Sequence, residues 1–157
     1  MKKFIWVVIH FAYLLLLFSA FTCEKNENVL PTNIIIKSGT SFGMCVGHCI
    51  TEAEMSSQQL SLVRKAWRSK IADKTCSRLL TSGEWQSLID LLNFDTFKQL
   101  PETTGCPDCA DGGKEWIEIT YGEQVKRVNF EFGKNIPEIA AFTERVRKIR
   151  DSLNNCD

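Results

Sequence analysis

Two short stretches hold most of the side chains able to do chemistry: "SFGMCVGHC" (Ser41 to Cys49) and "GCPDCADGG" (Gly105 to Gly113). Each has a close cysteine pair, Cys45 with Cys49 and Cys106 with Cys109, and Cys76 lies between the two stretches. Such pairs serve three chemistries. Four thiolates from two close pairs build a tetrahedral zinc cage, for which His48 is a spare ligand. The first pair, however, is separated by three residues rather than the usual two. A Cys-x-x-Cys pair exchanges electrons when its first cysteine opens a helix that lowers the thiol pKa. "CPDC" has that spacing, but Ala110-Asp111-Gly112-Gly113 follows it and breaks a helix. Disulfides are the third use, and they tie irregular loops to a scaffold.

The rest of the chain offers little competing chemistry. His48 is the only histidine after His10, no Gly-x-Ser-x-Gly occurs, and no carboxylates stand at a recognisable catalytic spacing, so no catalytic residue is assigned. Gly39, Gly43 and Gly47 recur every four residues, yet no Gly-Lys-Ser/Thr follows to complete a phosphate loop. "DCADGG" lacks the ordered oxygens and distal Glu of a calcium loop and reads as a turn. Trp67, Trp85 and Trp116 fall at strand and helix spacing, as core or core-edge aromatics do. "RVRKIR" is basic, but Glu144 with Lys148 and Arg147 with Asp151 are i,i+4 pairs, the pattern of a solvated face.

The N-terminus chooses among the cysteine chemistries. "MKKFIWVVIHFAYLLLLFSAFTC" has Lys2 and Lys3, then an apolar run to Phe21, with no acid before Glu24. Residues 1–22 therefore read as an export signal, long enough to span a bilayer if retained. The lysines stay inside, and everything after Cys23 goes outside. Exported thiols meet an oxidising space, which favours disulfide staples over zinc or redox use of Cys45, Cys49, Cys106 and Cys109. Those two uses, with zinc as the cofactor of the first, are the alternative. The signal takes two of the 19 cations with it, leaving 17 against 19 acids, a formal charge of −2. A chain without a basic excess does not neutralise phosphates, so nucleic acid is excluded as a partner.

Ala20-Phe21-Thr22-Cys23, with the polar "EKNEN" after it, resembles the signal end of bacterial lipoproteins, although Phe21 and Thr22 replace the usual small residues. The resemblance implies a lipid on Cys23 and a domain anchored on the periplasmic or outer face of the cell envelope. An uncleaved anchor and ordinary cleavage are the other outcomes at this junction.

The elements that must position the loops are legible in the periodicity. Residues 23–31 form a polar tether ending in Pro31, and 32–157 make one domain. "TNIIIKSG", "HCITEAEM" and "QLSLVRKAW" read as three strands. "TSGEWQSLIDLLN" reads as a helix with Thr81 and Glu84 at capping-box spacing and Trp85, Leu88, Ile89 and Leu92 on one face. "EWIEITYG" and "QVKRVNFEFG" form a hairpin through Gly122-Glu123. The last helix has Asn135 and Glu138 as a second capping box, and a stripe of Ile139, Phe142, Val146, Ile149 and Leu153. The order β-β-β-α-β-β-α predicts an α+β fold, an antiparallel sheet of about five strands with two helices packed on one face.

That topology gathers Cys45, Cys49, Cys76, Cys106 and Cys109 at one end, while a last helix running down the sheet leaves Cys156 at the other. Phe42-Gly43-Met44-Cys45, the "EWQSLIDLL" helix and the final strand pair resemble a group of small exported bacterial lipoproteins. The resemblance implies the same architecture and location. The expected protein is a lipid-anchored, disulfide-stapled envelope domain with a binding role. Its contact loops would present Ser41, Phe42, Met44, His48, Pro107, Asp108 and Asp111 to an envelope protein or small ligand.

Overall fold

Alternation in Ile34–Ser41 (β1) sends Ile34, Ile36 and Ser38 to one side of a sheet and Ile35, Lys37 and Gly39 to the other. The computed structural model describes residues 33–153. The expected export signal, the tether with Cys23, and Cys156 lie outside the described residues. β1 is central. On one side it pairs antiparallel with His48–Met55 (β2), which pairs with Gln59–Ala66 (β3) and then Lys74–Leu79 (β4). On the other side it pairs with Lys114–Tyr121 (β6), which continues to Gln124–Glu131 (β7). A two-residue strand, Thr103–Thr104 (β5), completes seven strands in the order β4-β3-β2-β1-β6-β7-β5 and runs parallel to β7.

The register aligns the apolar positions. Ile36 lies opposite Met55 and Ile119, and Ser38 opposite Ala53 and Ile117. Met55, Leu60, Leu62, Ile117, Ile119, Val128 and Phe130 extend this face to a continuous core. Ser82–Ile89 (α1), Phe94–Gln99 (α2) and Ala140–Asp151 (α3) cover it with Leu88, Ile89, Phe94, Phe97, Phe142, Val146 and Ile149. Burying each such side chain contributes roughly 1.5–3 kcal/mol before chain entropy is counted. Among the described residues, no helix is long and apolar enough to cross a membrane.

The α+β class and the five expected strands are present, but the described residues form seven strands and three helices rather than five and two. "KTCSRL" forms β4 because β3 offers it a free edge; its own residues are mostly polar and exposed, so alternation gave no signal. "FDTFKQ" forms α2, held by the Asn93 side chain accepting from the Thr96 N–H at 3.0 Å and by burial of Phe94 and Phe97. It is too short to show a helical period. β5 also makes the sheet mixed rather than wholly antiparallel.

The helix starts differ too. At α1 both arms of the Thr81–Glu84 capping box form. At α3 the expected Asn135 cap does not: a 3-10 turn at Pro137–Ile139 leads into the helix, and Asn135 instead bonds Glu144 and Arg147. α3 then crosses the strands rather than running down beside them. Arg150 reaches Ser38 on β1, while Ser152 and Leu153 reach Arg78 and Cys76 on β4.

Candidate functional site

The two cysteine-bearing loops lie side by side at one end of the sheet, as their positions in the chain require. β1 ends there at Ser41, which pairs with Lys114, the residue that leaves the second loop. Phe42 binds them together. Its ring occupies the space over Gly113, where a Cβ would come within 2.5 Å, and Gly113 has φ +81°, so glycine is required on both counts. The same ring meets Phe132 edge-on at 4.8 Å. Asp108 sits beside Gly43, with its carboxylate 3.6 Å from where a Cβ of that glycine would lie. Each pair of sulfurs closes on itself. Cys45 is bonded to Cys49, with Cα atoms 5.7 Å apart, and Cys106 to Cys109, with Cα atoms 5.5 Å apart.

The two rings differ in exposure. Cys49 lies in β2 and is only 2% exposed, so its bond ties the first loop to the sheet. Cys106 and Cys109 are both exposed, and their bond stays within the second loop. That loop is shaped by backbone contacts. The Cys106 N–H donates to Glu131 Oε1 at 3.0 Å, and the Asp108 N–H to the Gly113 carbonyl at 3.1 Å. Asp108, Ala110 and Asp111 have φ values of 67°, 51° and 57°, uncommon for residues with a Cβ. Bonded sulfurs present no thiolate, and among the described residues no group of three or more His, Cys, Asp and Glu could hold a metal ion. His48, the spare ligand of the zinc reading, donates from Nε2 to the Ala72 carbonyl at 2.9 Å, which requires its proton on that nitrogen.

Cys76 does not join this end. The unforeseen β4 carries it back along the sheet, opposite Leu62 and facing α3. It too is disulfide-bonded. The expectation of five cysteines at one end therefore fails by one strand.

The loop end is instead completed by residues 67–73, the connection between β3 and β4, which leaves Ala66 directly opposite His48. Trp67 is 39% exposed there rather than in the core, with Arg68 5.6 Å from its ring centroid. Met44 and Val46 are 74% and 98% exposed on the first loop, and Ile71 and Phe132 are also open. Five of the eight large apolar side chains exposed among the described residues thus share one end. Of the other expected contact residues, Asp108 and Asp111 are exposed, Phe42 and Pro107 half-buried, and Ser41 buried.

Beneath the loops lies an ion cluster that sequence reasoning missed. Glu115, 1% exposed, accepts from Arg147 Nη2 and Arg150 Nη1, both at 2.7 Å. Arg150 also donates to Ser38 Oγ at 3.1 Å, and Arg147 to Asn135 and the Lys134 carbonyl. Burial opposes ionisation of Glu115, but hydrogen bonds from Arg147 and the charge of Arg150 outweigh it and hold the carboxyl below its ordinary range. "RVRKIR" is therefore partly buried: Arg147 and Arg150 reach the sheet, Arg145 donates to Ser87 of α1, and the Arg147–Asp151 pairing is replaced. The available signal was Glu115 itself, an acid at an inward strand position, with its neighbour Lys114 on the opposite face of the strand.

The opposite face of the sheet is open and polar. Trp116 lies flat over Gly39, where a Cβ would come within 2.4 Å of the indole, and Arg127 stacks 3.8 Å from its ring. A shallow depression of 190 Å³ beside it is lined by Lys37, Glu52, Glu54, Ser61 and Val63. Its charges are satisfied in pairs, Lys37 with Glu54 and Lys65 with Glu52. The loop end is the better candidate, because it gathers exposed apolar side chains in one place. The sequence matches no protein-family model and no curated protein.

Proposed function

We propose that this chain is an exported, lipid-anchored envelope domain that binds a partner through its disulfide-bearing end. The observation that carries the reading is the collection of exposed Met44, Val46, Trp67, Ile71 and Phe132 at one end, with Val46 inside the ring that the Cys45–Cys49 bond closes and Met44 next to it. Exposed apolar groups gathered on braced loops mark contact surfaces, since an unbraced loop would lose more entropy on binding. The chain enters the domain at Ile34, at the far end of β1 from these loops. Residues 67–74, at the loop end, carry three cations, Arg68, Lys70 and Lys74, against one acid, Asp73, which suits a partner with an acidic surface.

Zinc binding and thiol redox, the alternatives, both need free thiols at Cys45, Cys49, Cys106 and Cys109. Of these, exposure favours exchange at Cys106 and Cys109.

The binding reading is tested by placing a photocrosslinking residue at Val46 or Trp67 in cells, with Val125 at the other end of the sheet as control. Discrete adducts from the first two positions and none from Val125 are expected. Equal labelling at all three, or none, would favour a purely structural envelope component.

A further inference from the structure

We propose that Cys76 is bonded to Cys156, so that a third disulfide clasps the C-terminal helix to the edge strand and Cys23 is left as the one cysteine without a sulfur partner. Seven cysteines are present in the chain. Five fall among the described residues, and four of these pair with one another. Cys76 is disulfide-bonded as well, so its partner is Cys23, Cys156 or a cysteine of a second chain.

Position separates these. α3 crosses the sheet and delivers its last turn to β4. Ser152 Oγ accepts from Arg78 Nε and Nη2 at 3.2 and 2.9 Å, and the Leu153 carbonyl lies 3.8 Å from Cys76 Sγ. Cys156 follows Leu153 by three residues, a reach of up to about 10 Å. A disulfide needs Cα atoms roughly 4.4–6.8 Å apart, so neither β4 nor α3 has to move for the bond to form. Cys23 precedes Asn33 by ten residues, and the chain enters the sheet at β1, three strands away from β4. Arg78, two residues beyond Cys76, is itself fixed by Glu84 of α1 at 2.7 and 3.0 Å, so the strand meets the chain end already braced.

In forming the bond, the two thiols lose two protons and two electrons to the disulfide of an exported oxidant protein, which becomes a dithiol. Six cysteines are then used in three bonds. The Cys23 sulfur is left for the thioether of a lipid, a consequence that rests on the anchor reading, although the pairing does not.

The test uses full-length protein taken from the envelope, alkylated without reductant and digested with trypsin. The expected product is Thr75–Arg78 joined through sulfur to Asp151–Asp157. A peptide joining Cys76 to Cys23, or a reductant-sensitive dimer through Cys76, would overturn the proposal. In full-length Cys23→Ser, Cys76 and Cys156 should stay joined and resist alkylation. Alkylation of both in that variant would sink the pairing even if Cys156→Ser fails to accumulate. The peptide holding Cys23 reports the anchor separately: a free Cys23 thiol beside an intact Cys76–Cys156 bond rejects lipidation and keeps the clasp.

Discussion

Cys49 is sealed in the sheet while Cys106 and Cys109 stand open, and this contrast grades their chemistry. Thiol–disulfide exchange requires an attacking thiolate to reach a sulfur, so access sets the order of reduction. Graded dithiothreitol followed by alkylation mapping should open Cys106–Cys109 before Cys45–Cys49. Simultaneous opening would remove the ground for a redox role at the outer pair. The same bond closes a ring of only four residues, for which loop-closure entropy predicts about 2 kcal/mol. Cys106→Ser should lower stability by that amount in oxidising buffer and by nothing measurable in reductant, as read by urea unfolding. A loss persisting in reductant would mean that packing rather than the bond holds the loop. Glu115 is the other decisive residue, because two guanidinium groups converge on one buried carboxylate next to the loop that Gly113 ends.

Among the elements, α1 shows how local chemistry becomes tertiary. Glu84 closes the capping box with Thr81 and also takes a two-pronged bond from Arg78 of β4. Hydrogen bonds from Arg78, then from the Thr81 backbone, draw its pKa from 4.5 down to about 2. A folded-state pKa below the unfolded one contributes stability that is complete above pH 4.5 and is lost as pH falls through 2. Glu84→Ala should therefore destabilise the domain by about 1–2 kcal/mol at neutral pH, the scale of a lost cap. The gap to wild type should shrink between pH 4.5 and pH 2. A gap independent of pH would assign the effect to helix propensity or packing instead. β4 and α2 were illegible in the sequence for a related reason: one is an edge strand and the other a single capped turn and a half, and both are stabilised by neighbours.

At the scale of the whole molecule, eight-residue strands of roughly 26 Å separate the end where the chain enters from the loop end. Cys23→Ala should abolish lipid labelling and release the domain from the membrane fraction. Retention with the signal still attached would identify the N-terminal segment as an uncleaved anchor. The proposed Cys76–Cys156 clasp closes 81 residues of chain. Its loop-closure contribution is about 4–5 kcal/mol, more than either local ring supplies.

Five strands, the capped first helix and the core stripe of the last helix were legible in the sequence, because alternation and the 3.6-residue period are local properties that each segment carries by itself. The meeting of "SFGMCVGHC" and "GCPDCADGG" also followed, since strand direction alone puts both loops at the end reached by Ser41 and left by Lys114. Which sulfur meets which did not follow, as cysteine spacing permits several pairings and only through-space distance selects one. Tertiary structure likewise decided that α3 crosses the strands, that Trp67 stands outside the core, and that "RVRKIR" turns Arg147 and Arg150 inward. Glu115 is the physical reason for the last: a buried carboxylate leaves its charge uncompensated unless cations 32 and 35 residues away come to it, and no local period records that demand.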